Sequence, residues 1–374
     1  VNSYKDGVIS RLYKGLSGLI KSRNVTYVEG FGKLVSPNTV EVNGTQYTGK
    51  NVVLATGSYA KTLPGLDVDG KRVITSDHAL NMDYVPKSAI VLGGGVIGCE
   101  FASVWKSFGS EVTIIEALPR LVALEDESSS KQLERAFRKR KIEFEVGSRF
   151  KSHTVNADSV TVTLENDKSF TAEVLLVAVG RGPVSAGIGY EEQGIKMDRG
   201  YVLVDNKCRT NLPGVWAVGD LIPTLQLAHV GFQEGILVAE EIAGLNPRPI
   251  NYDGVPRVTY SEPEVASVGL STAVAKERGY DVVEISYDLA GNGKSQILKT
   301  AGSVKLVAQK NGPVLGVHMV GDRVGELLAE AQLIFNWEAS ADDVAPLIHA
   351  HPTMSEAMGE AFLALAGKPL HAHG

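Results

Sequence analysis

Residues 89–100 read AIVLGGGVIGCE, the most informative segment of the sequence. An apolar segment, 89–92, runs directly into a Gly-x-Gly-x-x-Gly pattern, and residues 96–108 then have the apolar spacing of a helix. In a strand–turn–helix unit the first glycine permits a tight turn, the second lets the backbone approach a pyrophosphate, and the third lets helix and strand pack closely. The pattern predicts a dinucleotide site formed by Gly93, Gly94, Gly95, Val96, Ile97 and Gly98.

An acidic residue follows the next predicted strand. Residues 111–115 form that strand, and Glu116 stands 18 residues after Gly98. A carboxylate there can accept hydrogen bonds from both hydroxyls of an adenine ribose and would repel a 2′-phosphate. We therefore predict NAD as the ligand, with NADP left open by the nearby Arg120. A glycine-rich turn without a ligand is the alternative interpretation.

A second polar motif ends a buried strand further along the chain. Residues 215–218 are apolar and lead into Gly219 and Asp220. Ligands of α/β sheets bind beyond the carboxyl ends of strands, so Asp220 is placed to hold a sugar or ribitol hydroxyl. A helix predicted over 227–242 begins near Ala228, and its positive end would stabilise negative charge on a reduced flavin ring. A simple turn is the alternative for a Gly-Asp pair read alone.

The C-terminal stretch 348–356 reads IHAHPTMSE and supplies a histidine and a glutamate five residues apart. The proline after His351 favours an extended conformation for that histidine. Thr353 and Glu356 have the spacing of a capping box for a helix predicted over 353–366. Glu356 therefore either orients His351 as an acid–base group or caps the helix, and the two roles are compatible.

A metal site is the other chemistry that this stretch suggests. His349 and His351 point to one side of an extended segment, which would suit a pair of metal ligands. With one nearby carboxylate and no cysteine cluster, we predict no metal and interpret His349 as a structural histidine.

Composition bounds the remaining possibilities. The chain has 374 residues and a formal net charge of −6, which predicts two or three domains and argues against nucleic acid as a partner. The basic run 138–141 is expected to end a helix that begins near Glu127, with a phosphate patch as the alternative. No apolar run reaches the roughly 18 residues of a membrane span, and we expect no signal peptide. Cys99 and Cys208 lie far apart, so we expect inert thiols in a cytoplasmic protein.

Together these motifs resemble the class I pyridine nucleotide–disulfide oxidoreductases, with the dihydrolipoamide dehydrogenases as the best fit. The matching stretches cover nearly the whole chain and are 55–58, 93–100, 177–181, 210–220, 227–229, 262–264 and 351–356. The resemblance implies an α/β fold with Rossmann-like FAD and NAD domains, the FAD domain incomplete, and a C-terminal α+β dimerisation domain. The implied bounds are 1–83 for the remainder of the FAD-binding domain, 84–180 for the NAD-binding domain, 181–252 for the segment that returns to the FAD domain, and 253–374 for the dimerisation domain.

The resemblance also implies roles for individual residues. His351 would be the acid–base catalyst, Glu356 would orient it, and Glu100 resembles a glutamate that pairs with a lysine beside the flavin. The residues expected to contact FAD are Gly57, Asp220 and Ala228. The residues expected to line the NAD site are Gly93, Gly94, Gly95, Val96, Ile97, Gly98, Glu116, Phe150 and Gly180.

The implied activity is the flavin-dependent oxidation of protein-bound dihydrolipoamide to lipoamide with reduction of NAD⁺. In such enzymes the C-terminal histidine motif acts on the disulfide of the partner subunit, which implies a homodimer. Lipoyl domains and the acyltransferase core of a 2-oxoacid dehydrogenase complex are the implied partners. The family's first Gly-x-Gly-x-x-Gly and its Cys-x-x-x-x-Cys are expected upstream of Val1, so we expect this chain alone to be inactive. The alternatives are a flavin transhydrogenase, another disulfide reductase of this fold, and a redox-inactive dimerising NAD-binding module.

Overall fold

The computed structural model describes residues 1–371, so residues 372–374 of the predicted dimerisation domain lie outside it. The chain divides into two compact units. The first unit comprises Val1–Tyr59, Asn81–Asp83 and Arg181–Ile250. The second unit comprises Ala60–Leu80, Tyr84–Gly180 and Asn251–Gly374.

The first unit is built from two helices and several short strands. The helices are α1 (Asn2–Ser22) and α5 (Ala228–Ile242), and the strands are β1 (Gly32–Ser36), β2 (Thr39–Val42), β3 (Thr45–Thr48), β4 (Val52–Leu54), β5 (Ser58–Ala60), β14 (Arg181–Pro183), β15 (Met197–Asp198), β16 (Tyr201–Val202) and β17 (Val215–Ala217). Strands β1, β2 and β3 form an antiparallel sheet, and β4 pairs with β17 in parallel. The carboxyl ends of β4 and β17 therefore lie side by side.

The core of the first unit surrounds β17, whose three residues are all buried. Leu54 of β4 and Leu237 of α5 belong to the same apolar cluster. None of the residues of helix α1 is buried. Among the described residues, no helix is both long enough and apolar enough to cross a bilayer.

The first part of the second unit is a parallel sheet covered by an antiparallel meander. Its helices are α2 (Ser76–Ala79), α3 (Val96–Ser107) and α4 (Glu127–Lys139), and its strands are β6 (Val73–Ile74), β7 (Ser88–Leu92), β8 (Glu111–Ile115), β9 (Ile142–Glu145), β10 (Phe150–Val155), β11 (Val160–Leu164), β12 (Ser169–Ala172) and β13 (Val174–Val177). The five-stranded sheet has the order β6-β13-β7-β8-β9. From β7 the chain passes through α3 to β8 on one side, while β13 lies on the other. The carboxyl end of β7 is thus a switch point, where ligands of such sheets bind.

The rest of the second unit is an antiparallel sheet packed by helices. Its strands are β18 (Arg257–Thr259), β19 (Glu264–Gly269), β20 (Val282–Asp288), β21 (Ser303–Gln309) and β22 (Val314–Gly321), and its helices are α6 (Thr272–Glu277), α7 (Gly293–Leu298), α8 (Val324–Asn336), α9 (Ala341–Val344) and α10 (Glu356–Leu365). The central strand β22 is buried at every position, and α8 and α10 contribute Leu328 and Phe362 to the same core. The predicted fold class, with nucleotide-binding α/β parts and a C-terminal α+β domain, is confirmed.

A buried carboxylate connects α4 with the antiparallel sheet. Asp126 is the N-cap of α4 and accepts a hydrogen bond from the Ser128 N–H at 2.9 Å. It also accepts from the Thr272 N–H at 3.1 Å and from Lys305 Nζ of β21 at 3.0 Å. Burial raises the pKa of Asp126, but the hydrogen bonds from Ser128 and Lys305 outweigh it and hold the pKa far below its ordinary value. The carboxylate therefore stays charged inside the unit.

A buried histidine lies beside that carboxylate. His318 of β22 lies 2.9 Å, through Nε2, from the carbonyl oxygen of Leu270. Because a carbonyl can only accept, Nε2 carries the proton and Nδ1, which has no partner, is left unprotonated. Burial lowers the pKa of His318 against the opposing charges of Asp126 and Glu125, and Arg257 lowers it further. His318 is thus neutral in the folded chain.

Candidate functional site

The glycine turn lies where β7 meets α3. A Cβ atom at Gly93 would stand 2.3 Å from the carbonyl oxygen of Ala178, and one at Gly98 would stand 1.9 Å from the carbonyl oxygen of Gly93. Both positions require glycine, because the neighbouring atoms are backbone. A Cβ at Gly95 would meet no atom within 4 Å, and no side chain caps the helix that follows it. The turn therefore offers an open side and free N–H groups to an anion.

Glu116 is held against the glycine turn by backbone donors. Its Oε2 accepts from the Gly94 N–H at 2.5 Å, and its Oε1 accepts from the Leu118 N–H at 2.7 Å. The residue is only 9% exposed. Each carboxylate oxygen has two lone pairs, so both can still accept from ribose hydroxyls. The predicted contact with a ribose is compatible with this position and stays a prediction.

The two remaining residues predicted for the NAD site lie in different places. Gly180 follows β13, whose Val177 pairs with Leu92 of β7, so Gly180 lies at the same edge of the sheet as the glycine turn. Phe150 begins β10 in the antiparallel meander, where its partly buried ring packs against the apolar core. The pairing of β13 with β7 therefore places Gly180 near the glycine turn, whereas Phe150 belongs to a separate sheet.

A second polar cluster lies beyond the carboxyl ends of β4 and β17. Ser58 Oγ donates to Asp220 Oδ2 at 2.5 Å, and Arg181 Nε donates to Ser58 Oγ at 2.6 Å. Gly57 has a φ of +72°, and its carbonyl oxygen accepts from the Val184 N–H at 2.9 Å. The side chain of Asp220 is 27% exposed. Its carboxylate can therefore accept a further hydrogen bond from a sugar hydroxyl.

Helix α5 begins next to this cluster. Ala228 is its first residue and is exposed, and Leu227 at the N-cap supplies no side-chain hydrogen bond. Glu234, fully buried in the same helix, accepts from the Gly219 N–H at 2.6 Å and from Thr224 Oγ1 at 2.9 Å. Glu234 thus attaches the Gly-Asp turn to α5, and the positive end of the helix remains accessible.

Glu356 is hydrogen-bonded to both His351 and a backbone N–H. Its Oε1 lies 2.8 Å from His351 Nδ1, and its Oε2 accepts from the Thr353 N–H at 2.8 Å. Burial raises the pKa of Glu356, but the bonds from Thr353 and His351 outweigh it and lower the pKa overall. An ionised carboxylate can only accept, so Nδ1 carries the proton and Nε2 of the neutral ring is a base. The His351 side chain is 77% exposed, so this base is accessible.

The helix after this pair begins later than predicted. The spacing predicts a helix over 353–366, whereas α10 spans Glu356–Leu365 with Ser355 at its N-cap. Thr353 Oγ1 donates to the Ala350 carbonyl oxygen at 2.6 Å and so belongs to a turn before the helix. Of the predicted capping box, the bond from the Thr353 N–H to Glu356 forms. Glu356 thus contacts both His351 and the Thr353 N–H, a position compatible with the predicted orienting role, which stays a prediction.

Two family models match this chain. The pyridine nucleotide-disulphide oxidoreductase model matches residues 2–235, and the dimerisation domain of the pyridine nucleotide-disulphide oxidoreductases matches residues 255–362. The chain belongs to the pyridine nucleotide-disulphide oxidoreductases.

Curated proteins similar to this oxidoreductase include several dihydrolipoyl dehydrogenases. The chain is 40% identical to dihydrolipoyl dehydrogenase 1, mitochondrial, of Arabidopsis thaliana, over 98% of the chain and 75% of the relative. It is 39% identical to dihydrolipoyl dehydrogenase of Bacillus subtilis, over 99% of the chain and 82% of the relative. Leghemoglobin reductase of Glycine max is 37% identical over 99% of the chain and 73% of the relative.

Two solved structures have the same fold as this oxidoreductase. LpdA from Mycobacterium tuberculosis superposes with a TM-score of 0.91 at 25% identity, over 97% of this chain and 82% of that one. The HOCl-induced flavoprotein disulfide reductase RclA from Escherichia coli gives a TM-score of 0.89 at 25% identity, over 96% and 84%.

Both cysteines of this oxidoreductase are buried free thiols. Burial, followed by the charges of Glu116 and Glu100, raises the pKa of Cys99, and burial with the charge of Glu234 raises the pKa of Cys208 to about 12. The thiolate is the reactive form of cysteine, so neither thiol is activated at neutral pH. The raised pKa values agree with the expectation of inert thiols.

Several polar residues of the oxidoreductase were missed by sequence reasoning. Arg181 and Ser58 lie directly beside Asp220, and Glu234 holds the turn that carries it. Ser58 and Arg181 do belong to the stretches that carry the family resemblance, which was the available signal. Glu100 accepts a hydrogen bond from the Tyr260 N–H at 2.9 Å, and burial raises its pKa.

Proposed function

We propose that this protein oxidises dihydrolipoamide to lipoamide while NAD⁺ is reduced. The reaction balances as a dithiol plus NAD⁺ giving a disulfide, NADH and a proton. The observation that carries the proposal is the likeness to proteins named dihydrolipoyl dehydrogenase, at 39–40% identity over at least 98% of the chain. The exposed His351–Glu356 pair supports it, because dithiol oxidation needs a group that accepts thiol protons.

The residues at the glycine turn fit a dinucleotide. The open side of Gly95 and the uncapped start of α3 would hold a pyrophosphate, and Glu116 beside them would hold the adenine ribose. Because Glu116 is a carboxylate close to the turn, it favours NAD over NADP. The proposed NAD site therefore consists of Gly93 to Gly98, Glu116 and Gly180, with Phe150 as its least supported member.

The cluster around Asp220 fits part of a flavin nucleotide. Asp220 would accept a hydrogen bond from a hydroxyl of the ribityl chain or a sugar, while Ser58 and Arg181 hold its carboxylate in place. Gly57 provides a turn without a side chain, and Ala228 lies at the positive end of α5. FAD and NAD, when bound, supply the electron and hydride transfer that the side chains cannot perform.

His351 would act as the acid–base catalyst for the thiol of dihydrolipoamide. With Nδ1–H donated to Glu356, the lone pair on Nε2 can accept a thiol proton and raise the fraction of thiolate. A thiol with a pKa of about 8.5 is mostly protonated at neutral pH. A positioned base of this kind is worth roughly 10²–10⁴-fold in rate.

A homodimer is the proposed assembly. The match of residues 255–362 to a dimerisation domain supports it, and the exposed imidazole would then serve a disulfide of the partner subunit. Lipoyl domains and the acyltransferase core of a 2-oxoacid dehydrogenase complex are the proposed partners. A cytoplasmic location stays a prediction, since the similar proteins include mitochondrial ones as well as one from a bacterium.

The test compares substrates and acceptors in the intact protein. We expect dihydrolipoamide to be oxidised with NAD⁺, and the activity with NADP⁺ or with glutathione as the thiol to be far lower. His351→Gln should abolish most lipoamide turnover while NADH still reduces an artificial electron acceptor. Turnover of glutathione, or hydride exchange between NADH and NADP⁺, without lipoamide activity would overturn the proposal.

A further inference from the structure

A second histidine–glutamate pair stands two residues before the proposed catalyst. His349 Nε2 lies 2.8 Å from Glu330 Oε1, which projects from α8. Because an ionised carboxylate can only accept, Nε2 of His349 carries the hydrogen. The His349 side chain is 12% exposed, in contrast to the open ring of His351. His349 is therefore held by the fold and is the more enclosed of the two rings.

The ring of His349 is also fixed from the side of α10. A Cβ atom at Gly359 would stand 2.6 Å from His349 Nδ1, so the ring packs against the helix where a side chain is missing. Gly359 follows Glu356 by three residues, which places both on one side of the helix. The charge of His349 contributes to the low pKa of Glu356. His349 thus lies between α8 and α10, close to the partner of His351.

The segment that carries His351 is held at both ends. On the C-terminal side, Asn292 Nδ2 donates to the Thr353 carbonyl oxygen at 3.0 Å, and the Thr353 N–H donates to Glu356. On the N-terminal side, His349 is bound to Glu330. His351 lies between these two attachments, so the direction of its exposed ring depends on both.

We propose that His349 and Glu330 are positioning residues that hold His351 in register with Glu356. This inference rests on the proposed acid–base role of His351, and neither residue would touch the substrate. If the N-terminal attachment is lost, the segment gains freedom and His351 Nδ1 leaves Glu356 for part of the time. Neutral His351 then populates both tautomers, and Nε2 is no longer always the unprotonated nitrogen.

The test reads the tautomer of His351 directly. Protein labelled with ¹⁵N at its eight histidines gives nitrogen spectra that separate the two neutral tautomers, and the His351 signals are assigned by their loss in His351→Gln. A hydrogen bond to a carboxylate should favour the Nδ1–H form by roughly tenfold. We expect Glu330→Ala to remove this preference and Glu330→Gln, whose amide oxygen still accepts, to keep it.

Two further variants control the experiment. Gly359→Ala keeps α10 helical but pushes a methyl group onto His349 Nδ1, so it should also remove the preference. Glu326→Gln removes a charge from the exposed face of α8 one turn before Glu330 and should leave the spectrum as in the parent. An unchanged tautomer ratio in Glu330→Ala, or an equal change in Glu326→Gln, would overturn the proposal.

Turnover separates this inference from the proposed function. Lipoamide oxidation should fall about tenfold in Glu330→Ala and recover in Glu330→Gln, while NADH oxidation by an artificial acceptor stays as in the parent. If the parent protein does not oxidise dihydrolipoamide, the proposed function fails, and the tautomer ratios still decide whether His349 and Glu330 position His351.

Discussion

Replacing Glu356 by glutamine tests how one carboxylate can serve two donors. In the structure, Oε1 binds His351 Nδ1 and Oε2 binds the Thr353 N–H. A glutamine side chain has a single acceptor oxygen, and its NH₂ group can only donate. In place of the two carboxylate oxygens, Glu356→Gln therefore has one oxygen to accept from either the His351 Nδ1–H or the Thr353 N–H, and it carries no charge with which to hold the imidazole.

The expected loss of activity follows from the hydrogen bond between His351 and Glu356 that is lost. A hydrogen bond to a charged group is worth about 1.5–3 kcal/mol, which corresponds to a factor of roughly 10–150 in population. If the amide oxygen stays with the Thr353 N–H, the orientation of His351 loses that factor. We expect kcat for dihydrolipoamide to fall about 10–100-fold. The melting temperature should change little, because the His351 ring is 77% exposed and solvent screens its bond to Glu356.

The assay follows NADH formation from dihydrolipoamide and NAD⁺ in the intact protein, with NADH oxidation by an artificial acceptor as the internal control. His351→Gln sets the lower limit of activity. Glu356→Ala, which removes both acceptor oxygens, should be at least as slow as Glu356→Gln and should also unfold more easily. A kcat for Glu356→Gln within threefold of the parent would refute the orienting role of the carboxylate.

Three further perturbations test other parts of the chain. Gly95→Ala should weaken NADH binding in calorimetry without lowering Tm, whereas Gly98→Ala should lower Tm because its Cβ meets backbone; equal Tm values would contradict this. Lys305→Met should lower the free energy of unfolding by about 3–5 kcal/mol, because it leaves the buried Asp126 carboxylate without its cationic partner. Adding Asp126→Asn should recover part of this loss, and denaturant titrations measure both changes. The pKa of His318 is lowered from 6.5, so its neutral form stabilises the fold fully above pH 6.5 and that stability is lost as the pH falls below it. The parent and His318→Gln should therefore differ less in their free energy of unfolding as the pH falls below 6.5. A difference that stays constant with pH would contradict the reasoning.

The dinucleotide turn was predictable because its constraints are local. The predicted strand 89–92 and helix 96–108 agree with β7 (Ser88–Leu92) and α3 (Val96–Ser107) to within one residue. The steric need for glycine at Gly93 and Gly98 arises between atoms a few residues apart or in the neighbouring strand. A motif of this kind has the same geometry wherever it occurs.

The other contacts of the site depend on which distant strands and helices meet. Ser58 lies 162 residues from Asp220 and 123 residues from Arg181, and the pairing of β4 with β17 brings the ends of these segments together. Glu330 reaches His349 only because α8 and α10 pack on the same sheet. The late start of α10 has a local cause instead, since the Thr353 hydroxyl donates to the Ala350 carbonyl oxygen three residues earlier and does not cap the helix.

Asp126 links two segments of the chain that the predicted boundary at 252/253 separates. The same carboxylate caps the first turn of α4 and receives Lys305 from β21, so fraying of that turn would also break a contact inside the antiparallel sheet. In native-state hydrogen exchange, the first amides of α4 should then open with the same free energy as those of β21. A helix that is assigned to nucleotide binding would unfold together with the strands assigned to subunit association.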